Sequence, residues 1–170
     1  MKLTSIKSIV VVLTSILATV AIVSVSQGQA AKNSDSSNAE KAVLARLDEI
    51  QKAAQELDAD KVFSYVLENN NGALVQNGKL LLTRKDALES TIAGFAGLQK
   101  ISYQFNQQHV TLLSPTIALV VGEGSSTAIT DSGRTVTRPF AQSVIFVLTN
   151  KNWMVIHAHR SLPPQDQAGN

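Results

Sequence analysis

Cysteine is absent from the sequence. That removes disulfides, thiolate metal sites, a thiol nucleophile and a lipid-modified N-terminal cysteine from consideration. Charge is sparse as well: Asp, Glu, Lys and Arg make up 16% of residues and the formal net charge is +2. Lys and Arg are scattered, so no basic patch argues for nucleic acid. Gly122-x-Gly124 is the nearest thing to a phosphate loop, but no helix follows it. There is no nucleophile elbow and no Ser-His-acid signature. With one Trp, two Tyr and five Phe, each aromatic is worth locating.

What is present starts with an address. Lys2 and Lys7 precede an apolar run from Ile9 to Val25, and Gly28-Gln29-Ala30 supplies small residues of the kind a signal peptidase reads. Residues 1–30 are therefore expected to be a secretory signal, and the mature chain to be secreted or periplasmic. The competing expectation is an uncleaved membrane anchor, since a run of about 17 residues is near the lower limit for spanning a bilayer. In both cases the domain lies outside the cytoplasm, because lysines stay inside.

Residues 31–38 (AKNSDSSN) are small and polar and read as a flexible linker. The domain is expected over 39–162, followed by a disordered tail over 163–170. Ser37 and Glu40 have capping-box spacing for a first helix over 39–57. Val43, Leu47, Ile50, Ala54 and Leu57 form its apolar stripe. Asp58 begins a short second helix with Val62, Phe63, Val66 and Leu67 on one side. Glu68-Asn69-Asn70-Asn71-Gly72 turns the chain, and Asn77-Gly78 closes a tight hairpin between 73–76 and 79–82. Thr83 caps a third helix, with Asp86 at its third position. Beyond Gly97 the pattern is strand: 101–113, 117–129, 135–149, and a last strand that begins at Trp153 and is stopped by Pro163-Pro164. Helices first and a long antiparallel meander second make an α+β architecture in which the helices cover one sheet face. Strands this long must bend, and Gly122 and Gly124 are the bulge points.

The last strand carries the most specific pattern, Trp153-x-Val155-x-His157-x-His159-x-Ser161. Together with the order helix, short helix, hairpin, helix and four-strand meander, it resembles the nuclear transport factor 2-like (NTF2-like) superfamily in its SnoaL-like and DUF4440-type branch. It is especially similar to the last strand of the association (hub) domain of calcium/calmodulin-dependent kinase II. Gln142-Ser143, preceded by Arg138, resembles the segment before that domain's penultimate hairpin. The resemblance implies a curved sheet and helices forming a cone with a small-ligand pocket in its mouth, and a homodimer. It places Arg160 on one of the hub's pocket arginines and Gly124 where another would be. Enzymes of the superfamily often carry an aspartate after the second helix; here the region reads Glu68-Asn69-Asn70-Asn71.

Strict alternation places His157 and His159 on the side of Trp153 and Val155, with Arg160 on the opposite face. The histidines are candidates for ligand binding or general acid/base work, against the simpler reading that at least one only bonds a neighbouring strand. Two imidazoles at this spacing bind a metal only if His109 or Glu123 joins them; neither spacing is diagnostic, so no metal and no cofactor is assigned. Glu123 continues the stripe of Leu119 and Val121. Buried, it would be a base with a raised pKa; exposed or paired with Arg138 or Arg160, it would be the end of a strand. Tyr65 and Tyr103 are candidates for the pocket's edge, or are plain core. Arg160 has the fork geometry for a carboxylate. The expected function is an exported domain that binds a small, partly apolar ligand in its cone. The alternatives are a small SnoaL- or ketosteroid-isomerase-like enzyme for proton transfer or hydration, with His157, His159 or Glu123 as base, and a protein-interaction module with a filled pocket.

Overall fold

The structure is a computed structural model that describes residues 14–68 and 71–163. The start of the expected signal segment, Asn69-Asn70 of the turn and most of the expected tail lie outside the described residues. The chain divides into two compact units, 1–39 and 40–170. Helix α1 spans Thr14–Gln55. It therefore includes 31–38, the expected linker, and Ser37 stands inside the helix rather than at its start. No proline interrupts that segment, so the helical hydrogen-bond ladder runs through it. Among the described residues, no helix is long and apolar enough to cross a membrane.

The second unit follows the expected order. Helix α2 (Ala59–Ser64) is capped by Asp58, whose side chain accepts from the Lys61 amide. Strands β1 (Leu74–Gln76) and β2 (Lys79–Leu81) form the hairpin. Asn77 and Gly78 have φ of 52° and 71°, the left-handed pair that a two-residue hairpin turn demands. Helix α3 (Arg84–Phe95) has a complete capping box: the Thr83 hydroxyl accepts from the Asp86 amide, and the Asp86 carboxylate accepts from the Thr83 amide. The meander is β3 (Leu98–Ser114), β4 (Ile117–Thr130), β5 (Thr135–Thr149) and β6 (Asn152–Ser161).

The six strands form one sheet in the order β2-β1-β6-β5-β4-β3. All neighbours are antiparallel except β1 and β6, which run parallel. The last strand thus joins the hairpin to the meander. The segment after α2 extends the row begun by β1: the Val155 amide donates to the Tyr65 carbonyl and the Leu67 amide to the Val155 carbonyl, both at 2.9 Å. Arg84 fixes α3 to α2 by donating from Nε and Nη2 to the Phe63 carbonyl at 2.9 and 2.6 Å, beside the bond that this carbonyl accepts from the Val66 amide at 3.1 Å. Phe63, Ala73 and Ala87 form a small core there, with Val62, Val66, Leu74, Leu81 and Leu88 around it.

Register and burial identify the sheet's two faces, because directly opposed residues share a face. Ala118, Val120, Phe140, Val144, Phe146, Trp153 and Val155 are all buried, and their pairings place them on one side. This is the covered, concave face; Val43, Ala53 and Leu47 are buried residues of α1. The other face keeps Ile117 and Val121 at 36% exposure, with Glu123 next along the same strand.

Two bulges decide what reaches each face. In β6, Val155 pairs with Phe146 and His157 with Ile145, leaving Ile156 as an extra residue. In β3, Phe105 pairs with Gly124 and Gln107 with Glu123, leaving Asn106 extra. Each inserted residue reverses the alternation beyond it. Strict alternation along β6 therefore does not hold. His157, His159 and Ser161 lie on the face opposite Trp153 and Val155, while Arg160 shares the concave face with them. In β3 the same correction puts Gln108, rather than Gln107, on the concave face with Phe105. The extra residue also sits in β3 opposite Gly122 and Gly124, not in the glycine-bearing strand itself.

Candidate functional site: the concave face at Arg160

The concave side of the sheet is organised in cross-strand rows. One row reads Gln76 (β1), Arg160 (β6), Gln142 (β5), Gly122 (β4) and Gln108 (β3). On one side of it lies an aliphatic row of Leu74, Ala158, Val144, Val120 and Val110; on the other lie Phe140, Gly124 and Phe105. A polar stripe therefore crosses a surface that is otherwise apolar.

Arg160 is half-buried and held from two directions. Its Nη2 donates to Gln142 Oε1 at 2.7 Å. Its guanidinium carbon lies 4.6 Å from the Phe140 ring centroid and 5.1 Å from that of Tyr103, so the ring faces favour the cation. Phe140 is itself braced edge-on by Phe105 and Tyr103, with centroids 5.2 and 6.2 Å away. Tyr103 belongs to β3 and Arg160 to β6, with two strands between them; their contact reflects the curvature of the sheet. A guanidinium held by a ring face and an amide oxygen keeps further N–H groups for other acceptors, and its fork suits a bidentate one.

At the far end of the row, Gln108 Nε2 is buried and has no hydrogen-bond partner. A buried donor left unpaired costs about 1–3 kcal/mol. Gln51 Nε2 of α1 is in the same condition. Gly122 lies beneath Gln108: a Cβ there would meet the Gln108 Cγ at 3.2 Å and the Phe105 Cδ1 at 3.3 Å. The glycine thus leaves the floor of the row to the neighbouring side chains. Where β6 ends, a depression of about 320 Å³ opens beside the row, lined by Asn77, Gly78, Arg138, His159, Arg160 and the 161–163 segment. No carboxylate lines it. Glu123 is the only Asp or Glu carried by any of the six strands.

The residues singled out from the sequence separate into three places. Arg160, Gln142 and Tyr103 come together on the concave face. Tyr65 stands elsewhere: its ring is 4.9 Å from the guanidinium carbon of Arg46 on α1. Its carbonyl pairs with Val155, roughly 15 Å along β6 from Arg160 by strand rise. His157, His159 and Glu123 face outward. The half-buried His157 bonds through Nδ1 to the Gly72 carbonyl at 2.8 Å and ties β6 to the turn before β1. Exposed His159 shares an outer groove of about 380 Å³ with Gln107, His109, Val121, Glu123 and Ser143. Glu123 is exposed and accepts from Gln107 Nε2 at 3.1 Å, in place of the arginine partner expected for it. Among the described residues, no cluster of His, Cys, Asp and Glu has the geometry of a metal site.

Phe140 and Gln108 were not singled out from the sequence. Phe140 follows Pro139 in a strand whose alternation is regular, so its inward side was legible. Gln108 was hidden by the Asn106 bulge, which has no local signature.

The family model for the SnoaL-like domain matches residues 43–165. The chain belongs to that family. Solved structures agree on the fold. A candidate scytalone dehydratase from Novosphingobium aromaticivorans superposes with a TM-score of 0.71 at 8% identity, covering 81% of this chain and 93% of that one. A candidate dehydratase of the NTF2-like family from Streptomyces avermitilis gives 0.65 at 18% identity, over 74% and 96% of the two chains. A candidate calcium/calmodulin-dependent protein kinase II association domain from Xanthomonas campestris gives 0.64 at 18%, over 72% and 86%. No curated protein matches the sequence. At these identities the superpositions speak for the NTF2-like cone alone, which is the α+β architecture expected from the element order.

Proposed function

We propose that this SnoaL-like chain is an exported, non-catalytic binding domain that takes a small, partly apolar ligand in its cone, anchored by Arg160. The observation that carries this reading is the polar stripe on the concave face. It presents a cation held against aromatic rings and side-chain amides inside an apolar setting, the usual make-up of a ligand site. It presents no carboxylate or imidazole on that face to act as a base, so the residues expected to do proton transfer do not reach the ligand. The dehydratase assignments of two structural neighbours favour the enzymatic alternative, in which Tyr103 would be the acid. Turnover of a bound ligand would decide for it.

The same reading includes a homodimer formed through the outer sheet face. Ile117, Leu119, Val121, Ile145, Val147 and Met154 share that face by register, and Ile117 and Val121 stay exposed on it. Export rests on the basic start, apolar run and small residues of 1–30. A thermal-shift screen of the purified chain against small acids, steroids, polyketides and divalent metals tests the binding reading. A ligand that binds only the folded state at 100 times its Kd adds about 2.7 kcal/mol of stability. No shift with any of these classes would turn the assignment to the interaction module. Light scattering gives the assembly state, and the N-terminal mass of the exported protein gives the cleavage point.

A further inference from the structure

The sequence has three histidines, and register puts all of them on the outer face of the sheet. His109, Val121, Ser143 and His159 form one cross-strand row. His157 ends the next row, after Leu119 and Ile145. His109 and His159 are exposed and line the same groove of about 380 Å³, whereas His157 is tied to the Gly72 carbonyl. Countercharge is scarce here. Glu123 is the only acidic residue of the six strands, and it already accepts from Gln107. Lys100 shares the face by register but stands about 27 Å along β3 from His109. Lys79, Arg138 and Arg160 belong to the concave side by register, although the two arginines reach the depression that His159 also lines. Lysine and arginine keep their charge between about pH 5 and 8 and imidazole does not, so the face changes its charge over that range through its histidines.

We infer that the outer face joins two copies of this chain only while His109 and His159 are neutral, and that their protonation parts the copies. This rests on the homodimer reading and adds its regulation. A second copy fits the face in size. Strands β3 to β6 have 17, 14, 15 and 10 residues. At about 3.4 Å per residue and about 4.8 Å between strands they present about 900 Å², and a stable interface takes about 800 Å² from each partner. A second copy also fits in charge. With neutral imidazoles the contact joins apolar rows and uncharged hydrogen-bonding groups. With charged imidazoles, two copies bring four cations from His109 and His159 against two Glu123 carboxylates, a surplus of two positive charges in an apolar contact. Desolvating unpaired charge is costly, so protons bind the separated copies better and acid drives dissociation. A foreign partner chosen to suit these imidazoles would supply carboxylates and bind more tightly in acid, which is the opposite sign.

Sedimentation velocity of the full chain at pH 8.0 and 5.5, at equal ionic strength, tests this. The chain should be a dimer at pH 8.0, with a dimer Kd at least about tenfold higher at pH 5.5. Emission from buried Trp153 should be the same at both values, showing that the released copies stay folded. The double variant His109→Gln, His159→Gln should dimerise about equally at both pH values. Glu123→Gln removes the countercharge and should enlarge the difference between them. Val121→Arg, on the same row, should be monomeric and folded throughout. A dimer equally tight at both pH values, or tighter in acid, would overturn the inference and leave the homodimer reading intact. So would a pH response that survives in the double histidine variant, or one that follows loss of the Trp153 signal and so reports unfolding. A monomer at pH 8.0, or a dimer undisturbed by Val121→Arg, would count against both the inference and the homodimer reading.

Discussion

Gly124→Ala is the sharpest test of the β3–β4 geometry that shapes the concave face. A Cβ on Gly124 would fall 2.1 Å from the Gln104 carbonyl oxygen, 2.9 Å from the Phe105 Cα and 3.0 Å from the Gln104 carbonyl carbon. Ordinary contact begins at 3.4 Å, so the first of these is 1.3 Å too short. All three are backbone atoms, which no rotamer change can move aside. Relief requires β3 to leave β4 at the Asn106 bulge, where Phe105 and Tyr103 brace Phe140. Overpacking of a well-packed interior costs about 1–3 kcal/mol, and a backbone clash belongs at the upper end. For a unit of this size, about 3 kcal/mol corresponds to a fall in melting temperature of roughly 10 °C. The same chemical change at Gly94, inside α3, meets nothing within 4 Å and replaces the poorer helix former. It should raise stability by about 0.5–1 kcal/mol. Calorimetric melting of both variants beside the parent is the assay. Equal melting temperatures for Gly124→Ala and the parent would refute the close approach of the strands, and with it the assignment of Gln108 to the concave face.

Other expectations follow from single contacts. Thr83→Ala removes half of the α3 capping box and should cost about 1 kcal/mol in urea denaturation; Thr83→Ser should cost much less. Arg84→Ala takes two donors from the Phe63 carbonyl and should cost about 1–3 kcal/mol, with only partial recovery in Arg84→Lys, which lacks the fork. His157→Ala should leave the affinity for a cone ligand unchanged, because that imidazole faces outward and bonds the Gly72 carbonyl; a large loss of affinity in titration would contradict the β6 register. The hydrogen bond from Lys61 to Glu56, and then the charge of that carboxylate, raise the Lys61 pKa above 10.5. A raised folded pKa stabilises below the unfolded value and ceases to do so as pH climbs through the folded one. The stability difference between the parent and Lys61→Met should therefore be present at pH 8 and vanish above the ordinary lysine range.

The elements were legible in the sequence because their signals are local. Asn77-Gly78 specifies a left-handed turn by chemistry alone, Thr83 and Asp86 announce a helix start, and Asp58 caps α2. Arg160 was legible too, through a family pattern and a side chain suited to acids. The faces were harder to read. Alternation assigns a side by counting, and each bulge adds one to the count without a residue that declares it. Ile156 looks like any strand isoleucine, and Asn106 sits between a phenylalanine and two glutamines. The two histidines, the most chemically suggestive residues in the chain, were therefore counted onto the wrong side relative to Trp153 and Val155. Arg84 was missed for a different reason: its partner is a backbone carbonyl distant in sequence, which no motif records.

The Ile156 bulge has a consequence for how such a chain can change. Val155 and His157 pair with Phe146 and Ile145, which are neighbours in β5, so deletion of Ile156 would straighten the strand and leave every later residue on the side it holds now. The two sides would be exchanged only if the extra residue were kept and drawn into regular pairing; His157 and His159 would then turn inward and Arg160 outward. Relatives that differ by one residue in this strand should be compared by length before they are compared by letter.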